Sequence, residues 1–219
     1  MRAERRKKII LECSKRLFSR KGYYNTQISD IVNEIKIARG TIYQYFRNKD
    51  EIFLTLLKDF YNNWEKHVSL ETHKIDLRVI TPGDYFYLRV KYTLEVLAND
   101  RHLCNIFLRM GIGLSGGLES TIKRFEKKIH NLIVSDLNLG IRNQHIRPDL
   151  NVEMAANLLT GALLRTALYD FVYKKKKTAP AEIERLTREI TNIFAPALFI
   201  NGKAGAYGHT PPPNSSSTS

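Results

Sequence analysis

TQISDIVNEIKIARGTIYQYFRNKD, residues 26–50, decides how the rest of the chain is read. Ile28, Ile31, Val32 and Ile35 recur at i, i+3, i+4 and i+7, the spacing of an amphipathic helix with one buried face. Thr26 is of the type that caps such a helix, and Lys36-Ile37 makes a tight turn after it. A third helix, about 38–46, turns Ile42 and Phe46 inward and offers Arg39, Thr41, Tyr43, Gln44 and Tyr45 on a basic background. Asn48 with Glu51 three residues on is a capping-box arrangement that opens a fourth helix, continuing through Trp64. Two short helices about a turn, the second polar and cationic, have the chemistry of a recognition helix in a DNA major groove.

Upstream, the periodicity predicts a first helix over residues 5–21 that buries Ile9, Ile10, Cys13, Leu17 and Phe18 and stops at Gly22. The charge is placed to match. Residues 1–50 hold thirteen Lys/Arg against five acids, a surplus of eight, while the other 169 residues share the remaining five of the net +13. A basic module beside a near-balanced one points to a polyanion partner for the first; a solvated surface is the alternative from charge alone.

Downstream, the pattern stays helical, and no period-2 strand stands out. Residues 69–81 read as a connector and Pro82 as a first-turn residue of a helix to about residue 98. A shorter helix over 103–110 runs into GIGLSGG (111–117), whose glycines predict an irregular segment. A helix over 118–139 is expected to end at Gly140, and Asp149 or Asn151 to cap the next, over 152–173. VEMAANLLTGALLRTALYDFVY is apolar on more than one face, so it needs cover on both sides: its own domain on one, a second subunit on the other. KKKK (174–177), read as a solvated loop, and Pro180 precede a last helix over 181–199. The tail 201–219 lacks Val, Ile, Leu, Met and Phe and is expected to be disordered. The fold class is therefore all-α, with about nine helices.

Several functions find no support. Cys13 and Cys104 are the only thiols, too few for a disulfide framework, and no HExxH or Cys/His pattern arranges the six histidines for a metal. The glycines of 111–117 have no following GK[ST], and no nucleophile–base set or nucleotide fingerprint appears, so neither an enzyme nor a cofactor is expected. The N-terminal apolar run is broken by charges, and nothing approaches ~18 uninterrupted apolar residues, which leads to an expected cytoplasmic location with no membrane partner.

The block from Leu17 to Phe53 resembles the DNA-binding domain of TetR-family transcriptional regulators. The likeness is carried by Leu17, Phe18, Lys21, Gly22, Tyr23 and Thr26, the Asp30-Ile31 pair, and RGTIYQYFRNKDEIF from Arg39 to Phe53. Two positions depart from the family pattern: Lys36 stands where Gly is common, and Ala38 where Ser is common. The resemblance implies a helix-turn-helix domain over 1–50, an effector-binding and dimerisation domain over 51–200, and a homodimer joined near 152–173 and 181–199. It implies a ligand-responsive regulator, most simply a repressor released from a near-palindromic DNA operator by a small effector; a non-specific architectural DNA-binding protein is the alternative. DNA contacts then fall to Thr26, Arg39, Gly40, Thr41, Tyr43, Gln44, Tyr45 and Lys49. Arg39 can pair with guanine or grip a phosphate, Gln44 can read adenine, and Lys49 resembles a phosphate clamp. Gly40 can serve close backbone approach or packing. Tyr85, Tyr92, Phe107, Met110 and Phe125 read by composition as an aromatic core, and by resemblance as the wall of a pocket for an apolar, acyl-type effector.

Overall fold

A computed structural model describes residues 2–73, 79–110, 114, 117–174 and 178–200. The tail 201–219 and most of KKKK and GIGLSGG lie outside the described residues. Helix α1 (Arg2–Lys21) buries Ile10, Cys13, Leu17 and Phe18 and ends where Gly22 takes φ +87°, a left-handed conformation that glycine adopts without a Cβ penalty. Ile9, expected inside, is 44% exposed.

The cap of α2 (Ile28–Ile35) is Gln27, not Thr26. The Gln27 N–H donates to the Asp30 carboxylate at 2.8 Å, while the fully buried Thr26 hydroxyl donates to the Gly22 carbonyl at 2.7 Å. That backbone N–H, with Lys21 beside it, holds the Asp30 carboxyl below the ordinary range. Lys36 follows α2 at φ 53°, ψ 52°, so a lysine occupies the left-handed turn at a cost of ~1 kcal/mol. Helix α3 (Arg39–Tyr43) is shorter than its sequence pattern suggests. The N–H groups of Tyr45 and Phe46 both return to the Ile42 carbonyl, at 2.9 and 3.0 Å, and close the chain into a turn.

Helix α4 (Lys49–His73) begins as read: the Asn48 side-chain oxygen accepts the Glu51 N–H at 2.9 Å. It overruns the start of the predicted connector by about one turn. Thr81 caps α5 (Pro82–Asn99) by accepting the Asp84 N–H at 3.1 Å. After α6 (Arg101–Met110), α7 (Gly117–Arg142) runs straight through Gly140. A Cβ there would stand 2.6 Å from Ile146 Cδ1, so this glycine permits a close approach and does not stop the helix. Asn151 caps α8 (Val152–Ala167), which passes into a π-helical segment, Leu168–Tyr173, where a continuous α-helix was expected. Helix α9 (Pro180–Leu198) completes an all-α fold; among the described residues the one β-type pairing is an isolated bridge, Ile146 to Phe199.

Helix α5 packs chiefly on α9, and α7 on α8. The buried side chains of α1–α3 continue without a break through Phe53, Leu56 and Phe60 of α4 into α5–α7. A polar seam also ties α1 to the α5–α6 junction. The Lys15 ammonium bonds Asp100 at 2.5 Å and Glu12 at 2.8 Å, and Asn105 donates to the Ser19 carbonyl at 2.8 Å. Burial opposes the Lys15 charge, yet its carboxylate partners leave the pKa raised overall.

Candidate DNA interface and effector cavity

Ile42 and Phe46 are buried beneath α3 and fix which of its residues face outward. Arg39, Gly40, Tyr43 and Gln44 are exposed, and Thr41 and Tyr45 half-buried. The Arg39 guanidinium carbon lies 5.9 Å from the centre of the Tyr43 ring, with Nη2 donating to the Tyr43 hydroxyl at 3.4 Å, which stiffens a long side chain for contact. No atom lies within 4 Å of where a Cβ of Gly40 would stand, so packing inside the chain does not require this glycine.

Lys49 turns back toward the α1–α2 turn. Its ammonium donates to the Tyr23 carbonyl at 2.8 Å and sits 4.2 Å from the centre of that ring, and partial burial lowers its pKa. The Tyr23 hydroxyl bonds Asp50, and burial with that carboxylate pushes the phenol up. Thr26, fully buried, holds the turn from beneath. Of the eight residues singled out for DNA, Arg39, Gly40, Tyr43 and Gln44 are thus exposed on and just after α3, Thr41 and Tyr45 are half-buried with Tyr45 packed against the core, and Thr26 and Lys49 brace the turn beneath.

The aromatic set does not converge on one place. Tyr85 lines a cavity of about 160 Å³ between α4, α5, α7, α8 and α9. Phe107 and Phe125 meet edge to face at 4.3 Å and line a separate recess with Phe60 and Tyr61. Tyr92 stands against His67, ring centres 6.0 Å apart, and the Met110 side chain lies outside the described residues.

Trp64, Phe86, Arg89, Asp136 and Leu163 also line the cavity; Phe86 falls within the aromatic cluster of residues 85–92, and the sequence reading singled out none of the other four for this role. One signal was available: Pro82, Tyr85, Phe86, Arg89, Val90 and Thr93 follow helical spacing along a single face of α5. The walls are largely apolar, with one cluster of bonded polar groups where α5 faces α7. There Arg89 Nε donates to Asp136 at 2.8 Å, and the Tyr85 hydroxyl donates to the same carboxylate at 3.1 Å. Burial pushes the Tyr85 phenol up to about 12, with Asp136 adding to it. Burial also raises the Asp136 carboxyl despite the opposing Arg89 charge. Such a space suits an apolar body with one polar head.

The family model for bacterial regulatory proteins of the tetR family matches residues 10–56, the span from within α1 to the first turns of α4. Residues 10–56 are a TetR-family DNA-binding domain. The fatty acid metabolism regulator protein of Bacillus subtilis (strain 168) is 26% identical over 159 residues, covering 72% of this chain and 79% of the relative. A TetR-family transcriptional regulator of Syntrophomonas wolfei superposes with TM-score 0.69 at 25% identity, covering 89% of this chain and 95% of that one. The regulator FadR of Bacillus subtilis, solved in complex with stearoyl-CoA, superposes with TM-score 0.69 at 21% identity, covering 84% and 95%.

With that domain, the chain is a DNA-binding transcriptional regulator of the helix-turn-helix type. Its α8 presents apolar side chains on the outer face, Met154 and Leu158 exposed at 56% and 58%, and Tyr169 of the π-helical segment that follows is 53% exposed. Gly161 lies on the same face of α8 with open space around it, and Ile193 of α9 is 69% exposed. Among the described residues no cluster of His, Cys, Asp or Glu could hold a metal ion, and no helix is long and apolar enough to cross a membrane.

Proposed function

We propose that this TetR-family protein is a homodimeric repressor, acting in the cytoplasm, that binds a near-palindromic operator and is released by an apolar, acyl-type effector. Residues 1–50 serve DNA binding and residues 51–200 effector binding and dimerisation. Arg39, Thr41 and Gln44 read base edges; Gly40, Tyr43 and Tyr45 meet the backbone; Lys49 clamps a phosphate; Thr26 supports the turn. Two copies join through the exposed face of α8 and Ile193 of α9.

One observation carries this reading: α4 belongs to both sites. Its first residue, Lys49, braces the helix-turn-helix, and Trp64, four turns along, forms part of the cavity wall. A ligand that displaces Trp64 therefore moves the base of the recognition helix. Tyr85, Arg89 and Asp136 receive its head group, and the relatives named for fatty acid metabolism and for bound stearoyl-CoA support an acyl chain in the apolar part. For near-complete release the ligand must favour the non-binding state by ~5.5 kcal/mol.

Stearoyl-CoA and shorter acyl-CoAs are the probes. At about a hundredfold excess over Kd, a bound acyl-CoA is expected to stabilise the free protein by ~2.7 kcal/mol, read as a rise in Tm. The same acyl-CoA is expected to dissociate the operator complex. If acyl-CoA and operator bind together without weakening each other, the release mechanism is wrong.

Gly40 gives a sharper check, because its two expected effects have opposite signs. Gly40→Ala is expected to stabilise the fold by about 0.5–1 kcal/mol through helix propensity. It is also expected to weaken operator binding about tenfold, ~1.4 kcal/mol, by holding DNA off the backbone. Thermal melts and binding isotherms on one preparation read both; unchanged affinity removes Gly40 from the interface.

A further inference from the structure

The first turns of α1 carry charge that the fold does not use. Arg5, Arg6 and Lys8 are exposed, Lys7 is half-buried, and Glu4 is the one acid beside them. Arg5, Arg6 and Lys8 have no ion-pair partner among the described residues. Their placement opposes the helix. An α-helix is partially positive at its N-terminus, so cations there are unfavourable, and Arg5 and Lys8 form a like-charged i, i+3 pair. Stability is served at the other end, where Arg20 and Lys21 sit in the last turn.

Position supplies the reason. The Lys7 ammonium lies 5.8 Å from the centre of the Phe46 ring, and the Phe46 N–H closes the turn just after α3. The cationic turns of α1 therefore abut the end of the recognition helix.

We infer that Arg5, Arg6 and Lys8 form a second DNA contact, gripping backbone phosphates that flank the half-site read by α3. This rests on the operator-binding reading above. Glu4 makes no ion pair with any of the three and Glu12 is engaged by Lys15, so these side chains stay available to phosphate; arginine offers a planar fork and lysine a point charge. Phosphates carry no direct sequence information, so the contact adds affinity and salt dependence without altering base preference.

The test uses the full chain and the triple variant Arg5→Ala, Arg6→Ala, Lys8→Ala. Alanine has the highest helix propensity and removes the like-charge repulsion, so the variant is expected to melt at or above the wild-type temperature. Both proteins are titrated with the selected operator, trimmed to its half-sites or extended by one helical turn at each end. On the extended duplex the variant's plot of log K against log salt is expected to be shallower by about two to three units, with affinity at physiological salt reduced about tenfold or more. On the trimmed duplex the two proteins are expected to bind alike. An unchanged slope on the extended duplex, or an equal loss on the trimmed one, overturns the inference. Random-sequence duplex separates the two readings. If wild type prefers no site, the operator reading fails, while a slope difference on random duplex upholds this contact and equal slopes reject it.

Discussion

The double variant Leu158→Glu, Ile193→Glu is expected to elute at half the wild-type mass and to bind operator about 10³-fold more weakly. Both side chains are largely exposed in the single chain, at 58% and 69%, so the fold of one copy loses little when they change. A two-fold interface presents the same patch twice, so each glutamate would be buried near its own symmetry mate. Burying unpaired carboxylates costs several kcal/mol, enough to separate the subunits at assay concentrations. Losing the second half-site removes an effectively intramolecular binding step, commonly a factor of 10²–10⁴. Circular dichroism distinguishes the outcomes: a folded monomer with weak operator binding supports the α8–α9 interface. A folded dimer with wild-type affinity places the interface elsewhere.

Filling the cavity is expected to separate DNA binding from its control. Ile133 lies half-buried on the cavity wall, on α7, away from the helix-turn-helix. Ile133→Trp puts an indole into a space of about 160 Å³. Overpacking of this kind costs about 1–3 kcal/mol, and the same penalty set against an entering acyl chain weakens acyl-CoA binding roughly ten- to hundredfold. The variant is expected to bind operator as wild type does and to stay bound at stearoyl-CoA concentrations that release wild type. Release at wild-type concentrations would show that the effector binds outside this cavity.

The part of the chain most legible in sequence is the part whose contacts are local. Ile28, Ile31, Val32 and Ile35 share a face because of helix geometry alone, and Asn48 and Glu51 cap α4 across one turn. Misreadings began where the deciding neighbour is distant or where two local bonds compete. Gly140 looks like a helix stop until Ile146 is seen to fold back against it. Thr26 looks like a cap until its hydroxyl is found on the Gly22 carbonyl, which leaves Gln27 to begin α2. The cavity was least legible. Arg89 and Asp136 lie far apart in the chain and meet at the cavity that α5 and α7 both line, which no spacing rule anticipates. Aromatic composition drew attention to Phe107 and Phe125, rings that pack against each other and line a separate recess with Phe60.

The seam between α1 and α6 bears on how rigidly the two ends are joined. Lys15 with Asp100, and Asn105 with Ser19, hold α1 to the bundle at points away from α4. A displacement of α4 alone would tilt α3 against a fixed α1; breaking the seam would carry the whole helix-turn-helix. In the proposed dimer either movement would change the separation between the two recognition helices, on which binding to a near-palindromic operator would depend.

Selection of bound sequences from a random duplex pool at physiological salt, with and without stearoyl-CoA, tests the central claim most directly. The expected result is a near-palindrome whose half-sites lie about 34–36 Å apart, favoured over random duplex by roughly 10³-fold or more, with enrichment lost when the acyl-CoA is present. Tight, salt-sensitive binding without enrichment of any sequence would contradict it and leave a non-specific architectural DNA-binding protein in its place.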